Sequence, residues 1–488
     1  MSTKPSKKNY YVTTSIPYIN GEPHLGHAME FIMADALARV ARKSYENVLF
    51  STGTDEHGGK VAEKAAELKK TPQELADEMS AKFRDLAQKL AVSNDRFIRT
   101  TDAGHEQRAA LIWKALSPHI YKKNYEGWYC TGCEAFVSEG QAKDNGGVCP
   151  IHNRPYEKIQ EENYFFKLSE FSSEISSNIM QGSFRIIPAS RKKEIMHVFK
   201  DGIEDVSISR PKDKISWGIP VPNDPSQVMY VWFEALMNYI TVLGYPEHSD
   251  FKTFWPANVQ VIGKDILRFH AAIWPGMLMA LKLPLPKTLF VHGFVNVNGT
   301  KMSKSLGNVV SPHEIIDKYG ADAFRYYFLR HIPSYDDGDF TWERFETVYN
   351  NELANELGNA VNRTAAMINK YQKGVIGDIP DSEHDVAQYY AALEDCRFDR
   401  AIEDVWEQVR GLNQYIEEEK PWVLAKNNDA EHLKEVLAYM SSCLIEIAEL
   451  LEPFMPVTSQ KIIFIFNSGV IRPIEGTLFP KFDQPKET

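Results

Sequence analysis

Short apolar runs alternate with amphipathic segments over the first 119 residues, and the alternation resumes after residue 225. NYYVTTSI, NVLFSTG and RFIRT have the composition of strands, and EFIMADALARVAR, VAEKAAELKK and PQELADEMSAKFRDLAQKL separate them as predicted helices. Strands separated by helices predict βαβ units in a parallel sheet. The pattern returns in QVMYVWFEALMNYITVL, NVQVIGKDILRFHAAIWPGMLMAL and KTLFVHGF. We therefore expect one α/β domain built from two halves.

The rest of the chain has two other sequence patterns. Residues 120–225 have closely spaced Gly, Cys and Pro and are predicted to be an insertion, whereas the pattern from Glu343 onward is helical and predicts a C-terminal bundle. The apolar residues that recur there every four positions are Phe345, Tyr349, Leu353, Leu357 and Val361. The predicted boundaries are 1–119 and 226–292 for the two halves, 120–225 for the insertion, 293–350 for a linker region and 351–488 for the bundle.

Composition excludes several classes of protein. A formal net charge of -11 weighs against a general nucleic-acid binder, although a local basic surface can exist on an acidic protein. No stretch has the uninterrupted apolar length that crosses a bilayer, so no membrane association is expected. Five cysteines in 488 residues do not suit a disulfide scaffold, which favours a reducing, cytoplasmic compartment.

The stretch PYINGEPHLGH, residues 17–27, lies between a predicted strand and a predicted helix. A helix N-terminus favours a phosphate, because its N–H groups are unpaired and its dipole is positive there. His24 and His27 can donate hydrogen bonds to that phosphate, and Gly26 permits close approach of a ligand. A bare HxGH pattern is more often an ordinary loop, so this motif needs a second signal.

The second signal is VNGTKMSKSLGN, residues 297–308, which follows the last predicted strand. Lys301 and Lys304 lie in a loop rich in Gly, Ser and Asn, which suits a cationic flap over a polyphosphate. A lysine-rich loop alone is usually just solvated, but HLGH and KMSKS at opposite ends of an interrupted parallel sheet are a specific pair. With these two nucleotide motifs the chain resembles the class I aminoacyl-tRNA synthetases.

GTDEHGGKV, residues 53–61, nearly spells a competing phosphate-binding loop. Its lysine comes one place late for a P-loop, and Val61 stands where Ser or Thr is required. We therefore reject a P-loop at this position.

Within that class the chain resembles the methionyl-tRNA synthetase family over nearly its whole length. The resemblance rests on SIPYINGEPHLGH, TGTDEHG, YVWFEALMNY, GKDILRFH, NELGNAVNR and EKPWVLAK. It implies ATP-dependent activation of L-methionine and transfer of the methionyl group to tRNA(Met), with Mg²⁺ accompanying ATP. Two positions depart from many bacterial relatives, Ser15 in place of Ala and Leu236 in place of Pro, and we expect a changed pocket shape with the same substrate.

The resemblance also assigns roles to individual residues. His24 and His27 would stabilise the reacting phosphorus, and Lys301 and Lys304 would face the departing pyrophosphate. Gly26 and Gly263 would allow ATP to approach closely, and Asp265 would accept hydrogen bonds from its ribose. Asp55 and the backbone carbonyl at Ile16 would bind the methionine ammonium group. The methionine side chain would be enclosed by Tyr18, Trp232, Ala235, Tyr239 and His270.

The spacing of the apolar residues in YVWFEALMNY is compatible with that pocket. Trp232, Ala235 and Tyr239 are three and seven positions apart and share one face of the predicted helix. Such spacing is usually core packing, but a methionine pocket is itself apolar and aromatic.

YCTGCEAFVSEGQAKDNGGVCPIH has the spacing of a metal knuckle. Cys130 and Cys133 form one ligand pair, and Cys149 and His152 form the other, which suits one tetrahedral structural zinc ion. The resemblance places this knuckle in the connective insertion near the active site. The full predicted fold is thus a Rossmann-like parallel-sheet catalytic domain with a zinc-knuckle insertion, followed by an all-α anticodon-binding helix bundle.

Three residues of the predicted bundle suit the reading of unpaired RNA bases. Asn359 and Arg363 are four apart on one helix face, and Trp422 follows Pro421 where a helix is expected to stop. Each feature alone is more often structural, but their positions match the anticodon-reading residues of the family. The chain stops near residue 488 without the extra module that makes some relatives dimers, so we expect a monomer.

Two other functions remain open from the sequence. An HxGH-type nucleotidyltransferase shares adenylyl transfer but needs neither the KMSKS loop nor the long helical C-terminus. A non-catalytic tRNA-binding relative would keep the fold and bind tRNA without forming an adenylate.

Overall fold

The computed structural model describes residues 7–132, 135–137, 139–150, 153–301, 309–380, 385–472 and 476–482. The strands of these residues, numbered in chain order, are β1 (Lys7–Thr14), β2 (Tyr45–Thr54), β3 (Arg96–Arg99), β4 (Ile120–Cys130), β5 (Ala135–Val137), β6 (Glu157–Phe166), β7 (Arg185–Ile187), β8 (Val206–Ser207), β9 (Ser209–Pro211), β10 (Pro220–Val221), β11 (Asp224–Met229), β12 (Val259–Gly263), β13 (Thr288–His292), β14 (Val295–Val297), β15 (Thr300–Lys301) and β16 (Gly338–Phe340).

The α-helices, numbered in the same way, are α1 (Leu25–Ser44), α2 (Gly59–Glu67), α3 (Pro72–Lys89), α4 (Ala103–Leu116), α5 (Glu139–Asp144), α6 (Ser172–Gln181), α7 (Ala189–Asp201), α8 (Val231–Ala235), α9 (Asn238–Thr241), α10 (Ser249–Phe254), α11 (Trp274–Ala280), α12 (Pro312–Tyr319), α13 (Ala321–Arg330), α14 (Trp342–Val348), α15 (Asn359–Gln372), α16 (Ala387–Glu394), α17 (Phe398–Glu419), α18 (Pro421–Lys426), α19 (Ala430–Leu451) and α20 (Pro456–Phe466). Short 3₁₀ turns cover Ser117–His119, Leu168–Phe171 and Lys264–Ile266, and π-helical segments cover Phe269–Ile273 and Tyr349–Gly358.

Six strands form the main sheet in the order β3-β2-β1-β12-β13-β7, and every neighbouring pair is parallel. The predicted α/β domain with a parallel sheet is therefore confirmed. The outer strand β7 comes from inside residues 120–225, the segment predicted as an insertion, and pairs with β13. Its three residues are too few to show a strand period, which explains why the sequence did not reveal it.

The strand order places a ligand crevice at the centre of the sheet. β1 lies between β2, which follows it in the chain, and β12, which begins the second half. Ligands of open α/β sheets bind at such a switch point, beyond the carboxyl ends of the strands. The loops that leave β1, β2, β12 and β13 at this edge carry HLGH, Asp55, Asp265 and Gly293.

Close packing of two strands accounts for the first glycine of GTDEHGG. A Cβ atom added to Gly53 in β2 would lie 2.1 Å from the carbonyl oxygen of Ile98 in the neighbouring β3. The glycine is therefore needed for strand approach, and rejection of a P-loop agrees with this packing.

α1 connects the crevice with the helical half of the molecule. It has 20 residues and is buried along most of its length between the sheet and the later helices. Asp35 in α1 forms an ion pair of 2.7 Å with Arg325 of α13, and both side chains are fully buried. Arg325 also donates to the carbonyl oxygens of Pro453 and Phe454, beyond the end of α19.

The inserted region forms a small β lobe. β4 and β6 are long antiparallel partners, and together with β5 and β8 they form a four-stranded sheet. β9, β10 and β11 form a separate three-stranded antiparallel sheet.

The C-terminal region is helical, as predicted. α14, the π-helical segment Tyr349–Gly358 and α15 follow one another, and all five residues of the predicted apolar stripe are buried. In an ideal α-helix a stripe with four-residue spacing would turn by about 40° at each step. The wider π turns counter this drift and keep the stripe against the core. Among the described residues, no helix is long and apolar enough to cross a membrane.

Candidate active site

The two histidines of HLGH cap the N-terminus of α1. His24 is the N-cap residue, and its Nδ1 accepts a hydrogen bond of 3.2 Å from the backbone N–H of Gly26. The Nδ1 of His27 accepts a bond of 3.3 Å from the backbone N–H of His24. The two rings stack with centroids 3.7 Å apart. This arrangement is a capping box in which imidazoles replace the usual hydroxyl and carboxylate groups.

Burial keeps both rings neutral, and the cap decides which nitrogen carries the proton. Burial lowers the pKa of His24 to about 4, assisted by the nearby charge of Lys301. Burial and the neighbouring His24 and His292 hold the pKa of His27 well below its usual range. Both rings are therefore neutral at neutral pH. Because each Nδ1 accepts a bond, each Nε2 carries the proton and is the donor atom of its ring.

Lys301, the first residue of KMSKS, lies near the two histidines of HLGH. Lys301 ends β15 and lies near enough to His24 to affect its pKa, and its Nζ lies 5.2 Å from the ring centroid of Phe294. The predicted site residue Lys304 lies outside the described residues.

A buried ion pair that the sequence analysis missed supports the same crevice. Glu30 lies one turn after His27 in α1, and its Oε1 accepts 2.6 Å bonds from both the backbone N–H and the hydroxyl of Ser15. Its Oε2 lies 3.0 Å from Nε2 of His292, whose Nδ1 faces the carbonyl oxygen of Gly293 at 2.7 Å. Although burial opposes it, Glu30 raises the pKa of His292.

The unusual Ser15 therefore has a visible function. Its hydroxyl gives Glu30 a partner that alanine would lack, and this bond ties the end of β1 to α1. In the sequence, the pair of Glu30 and His292 was signalled only by Ser15 and by an acidic residue one turn after HLGH.

The predicted ribose site lies at the end of β12. A Cβ atom added to Gly263 would lie 2.8 Å from Oδ1 of Asp265 and 3.8 Å from the ring of His292. Asp265 is exposed at the crevice, in the 3₁₀ turn that follows the strand. The glycine thus leaves room for the carboxylate beside the ion pair of Glu30 and His292.

Asp55 directly follows β2 and is buried beside the loop that leaves β1. Its backbone N–H donates to the carbonyl oxygen of Pro17 at 2.9 Å, and its own carbonyl oxygen accepts from Ile19 at 3.2 Å. These two bonds flank Tyr18 and hold Asp55 next to the segment that contains Ile16. The backbones of the two predicted ammonium-binding residues are therefore held close together.

The predicted helix YVWFEALMNY is divided into α8 and α9. The side-chain amide of Asn238 donates to the carbonyl oxygen of Ala235 at 2.6 Å and replaces a helical bond at the break. Asn competes in this way with backbone hydrogen bonding, so a continuous apolar period did not predict a continuous helix. Trp232 stacks on Phe269 with ring centroids 4.3 Å apart, and Ala235 and Tyr239 are buried.

The inner part of this pocket contains one neutral polar pair. The hydroxyl of Tyr239 lies 2.7 Å from Nε2 of His270, and Nδ1 of His270 lies 3.0 Å from the carbonyl oxygen of Ile266. Since a carbonyl oxygen only accepts, Nδ1 carries the proton, and the tyrosine donates to Nε2. Burial lowers the pKa of His270 to about 4 and raises that of Tyr239 well above its usual range. These two polar side chains of the pocket are therefore uncharged.

The knuckle residues are described in part. Cys130 and Cys149 are both buried in one small cluster with Ala142 and Tyr156. The other two predicted ligands, Cys133 and His152, lie outside the described residues, so the predicted zinc set is not observed as a whole. Among the residues that the structure describes, no group of three or more His, Cys, Asp or Glu has a metal-binding arrangement.

The predicted anticodon residues lie on neighbouring helices of the bundle. Asn359 is exposed and lies one turn before Arg363 on α15. The guanidinium carbon of Arg363 lies 5.5 Å from the ring centroid of Trp422, and Arg363 also pairs with Glu417 at 2.8 Å. Trp422 is 37% exposed at the start of α18. The three predicted residues thus share one surface.

Two family models match the chain. The model described as tRNA synthetases class I (M) matches residues 10–158 and 145–365, and the model described as anticodon-binding domain of tRNA ligase matches residues 382–478.

Full-length relatives agree with these matches. The methionine–tRNA ligase of Caldanaerobacter subterraneus subsp. tengcongensis is 44% identical over 471 residues, which cover 93% of this chain and 73% of that protein. The methionine–tRNA ligase of Thermotoga maritima is 38% identical, and the match covers 97% of this chain and 80% of that protein.

Solved structures show the same likeness. The structure of Mycobacterium tuberculosis methionyl-tRNA synthetase in complex with methionyl-adenylate matches with a TM-score of 0.89 and 35% identity, over 97% of this chain and 100% of that one. The free form of the same protein matches with a TM-score of 0.84 and 32% identity, over 99% of this chain and 100% of that one. By its sequence, its two domain matches and its structure, the chain belongs to the methionyl-tRNA synthetase family of class I tRNA synthetases.

Proposed function

We propose that the chain activates L-methionine with ATP, giving methionyl-adenylate and pyrophosphate, and then transfers the methionyl group to the 3′ end of tRNA(Met) with release of AMP. The observation that carries the proposal is the pair of neutral histidines at the N-terminus of α1, beside Lys301 and at the same sheet edge as Asp55. The likeness to a structure bound by methionyl-adenylate supports the choice of amino acid.

The first step needs stabilisation of charge more than proton transfer. The methionine carboxylate is already ionised and attacks the α-phosphorus, while the bond to pyrophosphate breaks. His24 and His27 donate from Nε2 to the oxygens on that phosphorus, and the N-terminus of α1 adds its positive dipole. Lys301 and Lys304 would neutralise charge on the departing pyrophosphate. Mg²⁺, bound with ATP, would neutralise further phosphate charge.

Selection of methionine follows from the two sides of the pocket. Asp55 and the carbonyl oxygen of Ile16 bind the ammonium group, which fixes the amino acid next to the phosphorus. Tyr18, Trp232, Ala235 and the neutral pair of Tyr239 and His270 enclose the side chain. An uncharged aromatic wall suits a polarizable thioether and disfavours charged side chains, which would lose their hydration.

The second step requires recognition of the tRNA. Trp422 offers an exposed ring for stacking, and Asn359 and Arg363 offer amide and guanidinium donors for base edges. The partial match of the C-terminal region to an anticodon-binding domain disfavours the HxGH-type nucleotidyltransferase that the sequence left open. We place the protein in the cytoplasm, as the cysteine usage suggests, and propose that it acts as a monomer.

The proposal includes a structural zinc ion held by Cys130, Cys133, Cys149 and His152. The two described ligands fit this function, because both thiols are buried in the same small cluster of the inserted lobe. Lys60, in the segment after Asp55, donates to the carbonyl oxygen of Gly132 and approaches the ring of Tyr18 within 6.0 Å of its centroid. A closed site would thus hold the lobe against the amino-acid pocket and take no part in the chemistry.

Methionine-dependent exchange of pyrophosphate into ATP tests the proposal, run with each standard amino acid, with Mg²⁺ and without tRNA. Exchange with methionine alone is expected. Replacement His24→Ala should reduce it by about a hundredfold or more, while His197→Ala, at an exposed histidine of α7, should leave it unchanged. Exchange with another amino acid would overturn the pocket assignment, and no exchange would favour a non-catalytic tRNA-binding relative.

A further inference from the structure

A buried carboxylate connects the two sides of the proposed amino-acid pocket. Glu234 lies on α8 between Trp232 and Ala235, and its side chain is fully buried. Its Oε1 lies 2.8 Å from Nδ1 of His57, and its Oε2 lies 2.9 Å from Nε2 of His105. Both carboxylate oxygens are thus paired with histidines from outside the helix.

The pair of His57 and Glu234 is charged. Burial alone would lower the pKa of His57, but Glu234, Glu106 and Asp55 together raise it to about 10. Although burial would raise the pKa of Glu234, its two histidine partners hold it below the usual range. Desolvation offsets much of the attraction within a fully buried ion pair, so stability alone does not account for its presence. The ion pair can instead fix the geometry of the groups around it.

One end of this connection lies beside Asp55, the residue proposed to bind the ammonium group of the substrate. His57 follows Asp55 by two positions, and the backbone of Asp55 is bonded to the loop around Tyr18. Next to them, the indole N–H of Trp217 donates to the carbonyl oxygen of Glu56 at 2.6 Å. The segment that binds the ammonium group is therefore rigid where it meets the ion pair.

The other end of the connection is the pocket wall. Glu234 shares a five-residue helix with Trp232 and Ala235, so its side chain sets the position of that helix. His105, whose second nitrogen lies 2.8 Å from the hydroxyl of Thr241 in α9, holds the same wall from behind. Movement at Glu234 would move the wall relative to Asp55.

We propose that His57 is a positioning residue, which, through its ion pair with Glu234, sets the distance between the ammonium-binding Asp55 and the side-chain wall of α8. This inference rests on the proposed methionine activation. The ion pair lets the enzyme hold the ammonium group and the thioether of one ligand at the same time. Amino acids with shorter or longer side chains then fit less well.

The test is the effect of His57→Gln on pyrophosphate exchange. The glutamine amide extends to the position of Nε2, beside Glu106, so the variant removes both the positive charge and the hydrogen bond between Nδ1 and Glu234. We expect the KM for methionine to rise roughly tenfold or more, while the KM for ATP changes less than about twofold. Preference for methionine over norleucine, which has the same chain length without sulfur, and over the shorter homocysteine should fall.

His331→Gln is the matched control. His331 lies 2.9 Å from the carboxylate of Glu352, at the end of α13 and outside the pocket. A general effect of losing a histidine–glutamate pair would therefore appear in both variants. If both variants change the two KM values in parallel, the pair of His57 and Glu234 only supports the fold, and the inference fails.

Glu106→Gln keeps the inference testable if His57→Gln does not fold. Glu106 is a partly exposed neighbour, 3.5 Å from Nε2 of His57, so its replacement removes no buried group. It should raise the KM for methionine by about twofold and leave that for ATP unchanged, and an unchanged KM for methionine would overturn the inference. Failure of the wild-type protein to exchange with methionine would instead refute the proposed function.

Discussion

Each histidine of HLGH uses one ring nitrogen to cap α1 and leaves the other for the phosphate contact that we propose, and substitutions can separate these two functions. In His24→Asn the side-chain oxygen can replace Nδ1 as the acceptor of the Gly26 N–H, since asparagine is a favoured N-cap residue. The short amide cannot extend to the position of Nε2. The asparagine variant therefore retains the cap and loses the phosphate donor, whereas His24→Ala loses both.

The magnitudes follow from these contacts. Loss of one donor to a developing negative charge costs about 2.7–4 kcal/mol, so both variants should lose a factor of about 10²–10³ in the rate of methionine activation. Loss of an N-cap bond costs about 1 kcal/mol of folding free energy. Only His24→Ala should show that loss, because asparagine keeps the acceptor.

Two assays on the same preparations distinguish the effects. Pyrophosphate exchange with saturating ATP and methionine gives the rate, and chemical unfolding gives the free energy of unfolding. The wild-type rate should also show no titration near pH 6.5, because burial keeps the pKa of His24 at about 4. Near-normal exchange in His24→Asn would refute the donor function, and equal stability of the two variants would refute the cap.

Three further results are expected. Trp422→Ala should leave pyrophosphate exchange unchanged and weaken charging of full-length tRNA by about tenfold or more, since stacking on one base contributes about 1–3 kcal/mol; Phe464→Ala, at another exposed ring of the bundle, is the control. The pKa of His57 is about 10 in the folded state, above the ordinary value of 6.5. The stability that the protonated His57 contributes is therefore complete below pH 6.5 and is lost as the pH rises towards 10. The difference in unfolding free energy between wild type and His57→Gln should shrink over that range. A chelator should release one zinc ion per chain and expose Cys130 and Cys149 to a thiol reagent, with Cys443 of the bundle unaffected.

The elements that the sequence predicted are those with a hydrophobic pattern within their own residues. β1, β2 and α1 are long periodic segments, and the structure places their bounds about one to five residues from the predicted ones, the largest difference being the start of α1. The short strand β7 carried no such signal. The division of α8 from α9 depends on one hydrogen bond from Asn238, which a hydrophobic period does not contain.

The same distinction applies to the site. HLGH, TDEHG and GKDILRFH are short motifs, and resemblance to a family assigns residues within them. The pairs of Glu30 with His292 and of His57 with Glu234 join residues 262 and 177 positions apart. Pairing at such separation depends on the order of strands in the sheet, and this order was not available from one sequence. The charges of these buried groups were therefore beyond sequence analysis, although each residue lies next to a recognised motif.

The cap of α1 shows why a local rule can fail at a functional site. Ser, Thr, Asp and Asn are the preferred N-cap residues, and a sequence rule for helix starts gives no weight to histidine at position 24. A serine would cap α1 but could not also extend a donor towards a ligand. Only an imidazole offers an acceptor on one side of a rigid ring and a donor on the other, and accepting the backbone N–H with Nδ1 fixes the proton on Nε2. Histidine is not a preferred cap residue, but here the cap itself holds the ring in the tautomer that the proposed chemistry needs.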